Sequence, residues 1–539
     1  MSCVTSPLSA AEPADRPPHG PVRLSRSVGA LVGLLSVAAA LAAGHLVAGF
    51  VGLSASPYLA VGNTAIDLTP LPLKDFAVRT FGTHDKLVLL SGMALVIAVL
   101  ALVAGVISRR SPLPGTILAV LLGLVGVAAV FNRPDTGQLG VFAPVVSLAV
   151  GVVVFRYLHG LAMRRALDDQ SSAEPATGIG DQAPSRRTFL VSSAAVAVGA
   201  GVAGLGGQLF GNRVNVEASR NAVGTLVAKT KAPAIPAGAD FTKDGTVSFI
   251  TPGKDFYRVD TALTVPRILA EDWSLRVHGM VDRELNLSYN DLRGRDLVEQ
   301  TVTMTCVSNE VGGPYISTAT FVGVPLRDVL AEAGVKPGTE QLFSTSVDGW
   351  TCGSPVDVVM DPARGALLAL GMNGEPLPVE HGFPVRIVVP GLYGYVSATK
   401  WVTDIELTTY AARQGYWIDR GWGVQGPIKT QSRIDSPQGF ARVPAGKVVI
   451  SGVAWAQPTG IAKVEVRVDG GPWQQALLAA DVSNSAWRMW RTEFDLKGGG
   501  HNVECRATDK SGYTQTDQRV SVVPDGATGW HSVSFTVQA

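Results

Sequence analysis

Charge is scarce in this chain. Only 17% of its 539 residues are Asp, Glu, Lys or Arg, where soluble domains carry about a quarter. The deficit is uneven: charges are thin before about residue 160 and ordinary beyond it, so a mean hydropathy of +0.24 averages a membrane half with a soluble half. A formal net charge of +1 gives no global reason to expect nucleic acid or an acidic partner. Cysteine is scarcer still. Cys3, Cys306, Cys352 and Cys505 are the four, with no C-x-x-C pair and no C-x-x-C-H. That excludes a disulfide framework, an iron–sulfur cluster, a cysteine-rich zinc site and covalent haem, so each cysteine needs its own explanation. The length exceeds what one core supports, and three or four structural units are expected.

What the first half does have is long apolar runs. Four precede residue 162: Val28–Leu53, Leu87–Ile107, Thr116–Phe131 and Val141–Leu161; a fifth, Phe189–Phe210, follows a polar linker. Each approaches the length needed to cross about 30 Å of hydrocarbon, and the short third run must tilt little or extend into its flanks. Arginine and lysine set the orientation. If the spans alternate, Arg16, Arg23, Arg26, Arg109, Arg110, Arg164, Arg165, Arg186 and Arg187 fall on one side, and Lys74, Arg79, Lys86 and Arg133 on the other. The richer side is cytoplasmic, which puts everything beyond residue 211 outside the cell membrane.

Ser185–Leu190 reads Ser-Arg-Arg-Thr-Phe-Leu and is similar to a twin-arginine export signal, the route that moves folded, cofactor-loaded proteins. No A-x-A-like cleavage site follows, so the segment is expected to stay as an anchor. Gly199-x-Gly201-x-x-Gly204 matches the dinucleotide-binding pattern but has no strand before it, and small residues spaced for close helix packing explain it better. His45, His84 and His159 lie in or near the spans without a repeated pair at matching depth. No haem motif is found, and helix-packing or interfacial histidines are the reading.

Beyond the spans, 212–240 is rich in Ala, Pro and Gly and reads as a linker. Short β-rich runs follow, with PLRDVLAEAGV the clearest helix, giving an α+β domain over 241–425. Alternating strands at short intervals over 426–539 read as an antiparallel β-sandwich, with Trp455, Trp473, Trp487 and Trp490 as core and strand-face residues.

Cys306 sits in TVTMTCVSNEVGGP, where an apolar run meets a Gly-Gly-Pro turn. By itself such a thiol is a structural hydrophobe, a nucleophile or a metal ligand. Its surroundings narrow the choice. GMNGEPLPVEHGFPVRIVVPGLYGYVSATKW (Gly371–Trp401) resembles the molybdopterin-binding segment of the sulfite oxidase family, and the C-x-x-N of Cys306–Asn309 resembles that family's molybdenum-ligand motif. FYRVDTALTVP resembles the family's domain start; GVAWAQPTGIAKVEVRVDGGPWQQA and RATDKSGYTQ resemble its C-terminal immunoglobulin-like dimerisation domain. The likeness runs from Thr246 to Pro524 and leaves out the membrane spans.

The resemblance implies a molybdenum–molybdopterin cofactor ligated by the Cys306 thiolate, with Asn309 beside it. It implies His381, Arg386, Ser397 and Lys400 as anchors of the pterin phosphate, and Arg258 in the substrate pocket. The whole architecture is then multi-domain: cytoplasmic tail 1–27, all-α four-helix transmembrane bundle 28–161, cytoplasmic linker 162–187, fifth anchor 188–211, linker 212–240, α+β molybdopterin-binding domain 241–425 and immunoglobulin-like β-sandwich 426–539. Two features depart from the family. Where arginines commonly follow the ligand motif's asparagine, Glu310 and Val311 stand, which puts sulfite in question as substrate. The family's pocket tyrosine has two candidates, Tyr393 and Tyr395, with Trp350 a candidate neighbour. Cys352 and Cys505 read as buried bystanders.

The expected function is an extracytoplasmic, membrane-anchored oxidoreductase transferring an oxygen atom on a small oxyanion or sulfoxide. Its expected partners are a small-molecule substrate, membrane lipid, a quinone or cytochrome as electron donor or acceptor, a second copy of the chain, and no nucleic acid. The alternative is a receptor or scaffold that keeps the fold without the chemistry.

Overall fold

The computed structural model describes residues 22–81, 84–171 and 186–538. Readings on Cys3, Arg16 and Ser185 fall outside the described residues. The chain forms two compact units: the helices up to Gly211, and everything from Asn212 onward together with residues 66–75 and 133–135.

Among the described residues of the first unit, five helices are long and apolar enough to cross a membrane. They are α1 (Arg26–Val51), α2 (Asp85–Ile107), α3 (Leu113–Phe131), α4 (Phe142–Ser171) and α5 (Arg186–Gly211). The third extends three residues before Thr116, one of the two routes open to a short span. Ser25 caps α1 by accepting the Val28 N–H on its hydroxyl. α1 is the hub, packed against α2, α4 and α5. Small residues permit this: a Cβ on Gly33 would run into the Ala101 carbonyl, and one on Gly105 into that of Gly29. The glycine stripe singled out in α5 is different. Gly199, Gly201 and Gly204 have open space where a side chain would be, and the close contact falls one turn later, at Gly207 against the His45 carbonyl. His45 meets the Ser56 hydroxyl through Nδ1 at 3.3 Å, and His159 donates Nε2–H to Ser108 O at 2.7 Å.

The second unit begins before the β-rich runs. Residues 212–240 carry a short helix, Val216–Val223, capped by Asn215 and burying Val216 and Val223 on one face, two turns apart. Ser219 on that helix donates its hydroxyl to Glu271 at 2.6 Å. A composition poor in large apolar residues hides these few packed positions.

Two sheets form the α+β part. One runs β2 (Leu285–Ser288), β1 (Ser274–Gly279), β10 (Val402–Thr408), β5 (Gln341–Ser346) and β6 (Thr351–Pro355). The other runs β3 (Val298–Thr305), β4 (Ile316–Pro325), β7 (Leu367–Met372) and β8 (Glu375–Pro376), with β9 (Arg386–Val388) pairing β7. β7 is buried at every position, so it reads as a continuous apolar run instead of an alternating one. The helix expected from PLRDVLAEAGV forms as α6 (Leu326–Ala333) and stops at Gly334 in the left-handed region.

Two further sheets complete the unit. The first orders β11 (Gln431–Ser436), β13 (Gly446–Trp455), β17 (Arg488–Leu496) and β16 (Leu477–Leu478). The second orders β12 (Arg442–Val443), β19 (His531–Val537), β18 (Gly499–Asp509), β14 (Ile461–Val468) and β15 (Gln474–Gln475). Ile450 and Trp490 of one share a core with Val466, Val503 and Phe535 of the other. The α+β core continues across residue 426, because Val453, Trp455, Trp487 and Met489 belong to it. Trp487 also donates its indole N–H to Phe249 O at 3.0 Å. Of the four tryptophans expected in the sandwich, Trp473 lies outside these cores; it meets Trp530 edge-on, with Arg467 and Arg506 over the rings.

Candidate active site

Cys306 follows the last residue of β3, in a hairpin whose partner strand starts at Ile316. The hairpin mouth is closed by Cys306 N–H to Tyr315 O at 3.0 Å. Inside the loop, Asn309 donates its N–H to Cys306 O at 3.0 Å and accepts the Tyr315 N–H on Oδ1 at 2.8 Å. Asn309 is thus buried as the brace of the loop, and its Nδ2 has no partner among the described residues.

The Cys306 Sγ lies 2.9 Å from the Ser308 hydroxyl. Burial pushes its thiol up, opposed by that hydroxyl and by the Ser308 and Val307 amides. Deprotonating such a sulfur is costly unless a cation shares the site, which suits a metal ligand better than a free nucleophile.

The second half of the site comes from the turn before β9 and the segment after it. Arg386 is buried at 4% exposure, donates Nη1 to His381 O at 3.1 Å and leaves Nε without a partner among the described residues. Lys400 pairs with Asp260 at 2.8 Å and also reaches Glu380 O at 3.3 Å. Gly382 lets these strands approach: at φ +111 it lies in the left-handed region, and a Cβ there would stand 3.2 Å from Lys400 Cα and 3.0 Å from Arg386 Cβ. The His381 ring donates to Gly253 O at 3.1 Å and meets Phe256 edge-on.

Electrostatics binds these groups into one cluster. Burial first, then Arg386 and Lys400, holds His381 near 4, so its imidazole is neutral. Burial lowers Arg386 to about 10. Burial also lowers Lys400 to about 8, with Asp260 opposing and Arg386 and Arg258 adding to the fall. Asp260 answers Lys400 and Arg258, while Arg386 is desolvated beside a backbone carbonyl; a buried surplus of positive charge so placed asks for an anion.

The other sequence candidates take more modest places. Ser397 gives its hydroxyl to its own backbone, with Tyr393 O at 2.9 Å and Leu392 O at 3.2 Å. Arg258 pairs through Nε with Asp260 at 2.8 Å, its side chain 40% exposed; the structure joins it to the Lys400 end of the cluster. Tyr393 is buried with its hydroxyl 3.4 Å from the Lys429 N–H, and Tyr395 gives its hydroxyl to Gly423 O. Trp350 is half-buried in the turn before β6. Cys352 is fully buried against Thr399 Oγ1 at 3.2 Å and Ser344 Oγ at 3.4 Å, so it braces the segment that carries Lys400. Cys505 packs beneath Ser432.

Two residues were missed. Asp260 is the counter-ion shared by Arg258 and Lys400. Tyr257, stacked on Phe256, feels both Cys306 and Arg386, and burial raises its phenol well above the usual range. Both lie in FYRVD, where the arginine drew attention away from its neighbours.

Comparison with known proteins places this geometry. The profile of the oxidoreductase molybdopterin-binding domain matches residues 262–417, which include Cys306, His381, Arg386 and Lys400 but not Arg258 or Asp260. Chicken sulfite oxidase is 30% identical over 337 residues, covering 52% of this chain and 72% of its own. The chain belongs to the sulfite oxidase family of molybdopterin oxidoreductases. Rat mitochondrial sulfite oxidase is 32% identical over 320 residues, but the match covers 50% of this chain and only 58% of the rat protein. An uncharacterized oxidoreductase of Bacillus subtilis, YuiH, is 35% identical over 154 residues, 29% of this chain and 74% of its own. Among solved structures, sulfane dehydrogenase SoxCD from Paracoccus pantotrophus superposes with a TM-score of 0.48 at 24% identity, over 57% of this chain and 88% of that one.

Membership brings a molybdopterin cofactor, and the residues fit one. The orphaned Arg386 Nε and the surplus of buried cations suit a phosphate, and the desolvated Cys306 thiol suits a soft metal.

Proposed function

We propose that this protein is a membrane-anchored molybdenum oxidoreductase whose catalytic unit faces away from the cytoplasm and moves an oxygen atom to or from a small sulfoxide or oxyanion. The observation that carries this reading is the buried, under-neutralised pair Arg386 and Lys400 in one cluster with the loop-end thiol of Cys306. A scaffold relieved of chemistry would gain stability by losing those cations.

In this reading Arg386 and Lys400 would hold the pterin phosphate, neutral His381 stands beside them with its one N–H given to Gly253 O, and Ser397 lines the same turn. Asn309 keeps the loop closed, and Cys306 Sγ would ligate the metal from its end. When bound, molybdenum supplies the two-electron redox chemistry and the oxygen-atom transfer. The Tyr257 phenol keeps its proton at Oη, which makes it a hydrogen-bond donor facing the same space. Arg258 helps hold Lys400 through Asp260 and reaches the rim of the substrate pocket. Glu310 and Val311 place no guanidinium in the ligand loop, which favours a neutral sulfoxide over a dianion.

Nine arginines against four basic residues support the cytoplasmic side assigned to the N-terminus, and Ser185–Leu190 supports export in the folded state. The paired C-terminal sheets with a shared core support an immunoglobulin-like module; that it joins two copies rests on the family resemblance alone. A quinone or a cytochrome would exchange electrons with the site. The test uses full-length protein purified in detergent. Reduction of a sulfoxide by reduced viologen, faster than oxidation of sulfite, is expected; neither activity from molybdenum-loaded protein would contradict the reading.

A further inference from the structure

The loop after Cys306 is held from two sides. Its mouth is closed by the α+β sheets, but its tip, Gly312–Gly313, is gripped by the C-terminal sheets. Arg433 on β11 donates Nη1 to Gly313 O at 3.0 Å. Its guanidinium is fixed through Nε to Asp435 at 2.7 Å, and Asp435 also accepts the Val247 N–H at 3.3 Å. The two side chains are 10% and 7% exposed. His531, the first residue of β19, accepts the Ile434 N–H on Nδ1 at 2.9 Å. Its ring occupies the space a Cβ on Gly312 would need, and Gly312 lies at φ +81, where only glycine is at ease.

We propose that Arg433 and His531 are positioning residues: a clamp from the C-terminal sheets that fixes the loop and so aims Cys306 at the metal. The proposal rests on reading Cys306 as the ligand. A thiolate must be held to within about half an ångström to serve a metal, and a loop tied only at its mouth would not give that. A charge-assisted bond to a backbone carbonyl is among the stronger ties available. The C-terminal sheets then complete the active site as well as packing beside it.

The test compares full-length wild type with Arg433→Gln, Arg433→Lys and His531→Gln. In cofactor-free protein, amide exchange at Asn309–Tyr315 and alkylation of Cys306 by iodoacetamide should both quicken roughly tenfold in Arg433→Gln, with β13 exchange unchanged. In loaded protein the Mo(V) resonance should shift and kcat should fall more than KM rises, with Arg433→Lys restoring part of each. Folded Arg433→Gln with unchanged loop exchange and an unchanged resonance overturns the clamp. If Arg433→Gln does not fold, His531→Gln decides by the same measurements. Wild type without molybdenum would sink the ligand reading alone, because exchange in the cofactor-free protein still reports the clamp.

Discussion

Replacing Arg386 with methionine should change stability in opposite directions with and without the cofactor. The guanidinium is 4% exposed, so solvent does little to screen it. Its fall from 12.5 to about 10 corresponds to roughly 3 kcal/mol of unfavourable burial. Below pH 10 the folded state carries that charge at full cost, and methionine removes it. The change also gives up the bond to His381 O, worth about 1 kcal/mol. Cofactor-free Arg386→Met should therefore be about 2 kcal/mol more stable than wild type and melt a few degrees higher. In loaded protein the same change strips a buried partner from the phosphate, costing about 2–5 kcal/mol and most of the bound molybdenum. All ten tryptophans lie beyond Asn212, so their fluorescence reports the second unit alone. Full-length protein from hosts with and without cofactor synthesis would be melted side by side. If methionine destabilises both forms equally, the cluster is not a buried surplus of charge and the reasoning fails.

Other outcomes follow from the same geometry. Because Lys400 is depressed to about 8, the unfolded chain binds more protons between pH 8 and 10.5, so cofactor-free protein should gain stability as pH rises through that window. Lys400→Met should flatten the profile in denaturant titrations at pH 7.5 and 9.5. Asp260→Asn leaves Lys400 buried without its carboxylate and should cost cofactor-free protein about 3–5 kcal/mol by urea unfolding; a loss under 1 kcal/mol would mean the pair is slack. Gly33→Leu drives a side chain into the Ala101 carbonyl and should break the α1–α2 contact, seen as accelerated proteolysis of the first unit in detergent. The same substitution at Gly201, where the space is open, should be silent.

Much of this was legible before any coordinates. Apolar runs located all five helices, four of them to within three residues, because hydrocarbon thickness imposes length directly on sequence; the fourth runs ten residues past the predicted Leu161, to Ser171, where the polar residues after Leu161 carry no hydropathy signal. The resemblance carried by the HGFPVR to KW segment named His381, Arg386 and Lys400 as one group, and one turn and one short strand, Arg386–Val388, are what bring them together. What stayed hidden depends on contacts distant in sequence. Asp260 meets Lys400 across 140 residues, and Arg433 meets Gly313 across 120, and no local pattern announces either. Gly199, Gly201 and Gly204 misled for a related reason: spacing says that a helix has a smooth stripe, but the partner decides which stripe is used. Cys352 looked like filler until Thr399 placed it behind Lys400.

The most direct measurement of the central claim is X-ray absorption at the molybdenum edge, on full-length wild type and on Cys306→Ser. The account predicts that the variant's metal shell has one sulfur neighbour fewer, with an oxygen or nitrogen in its place. Identical sulfur counts in the two proteins would contradict it.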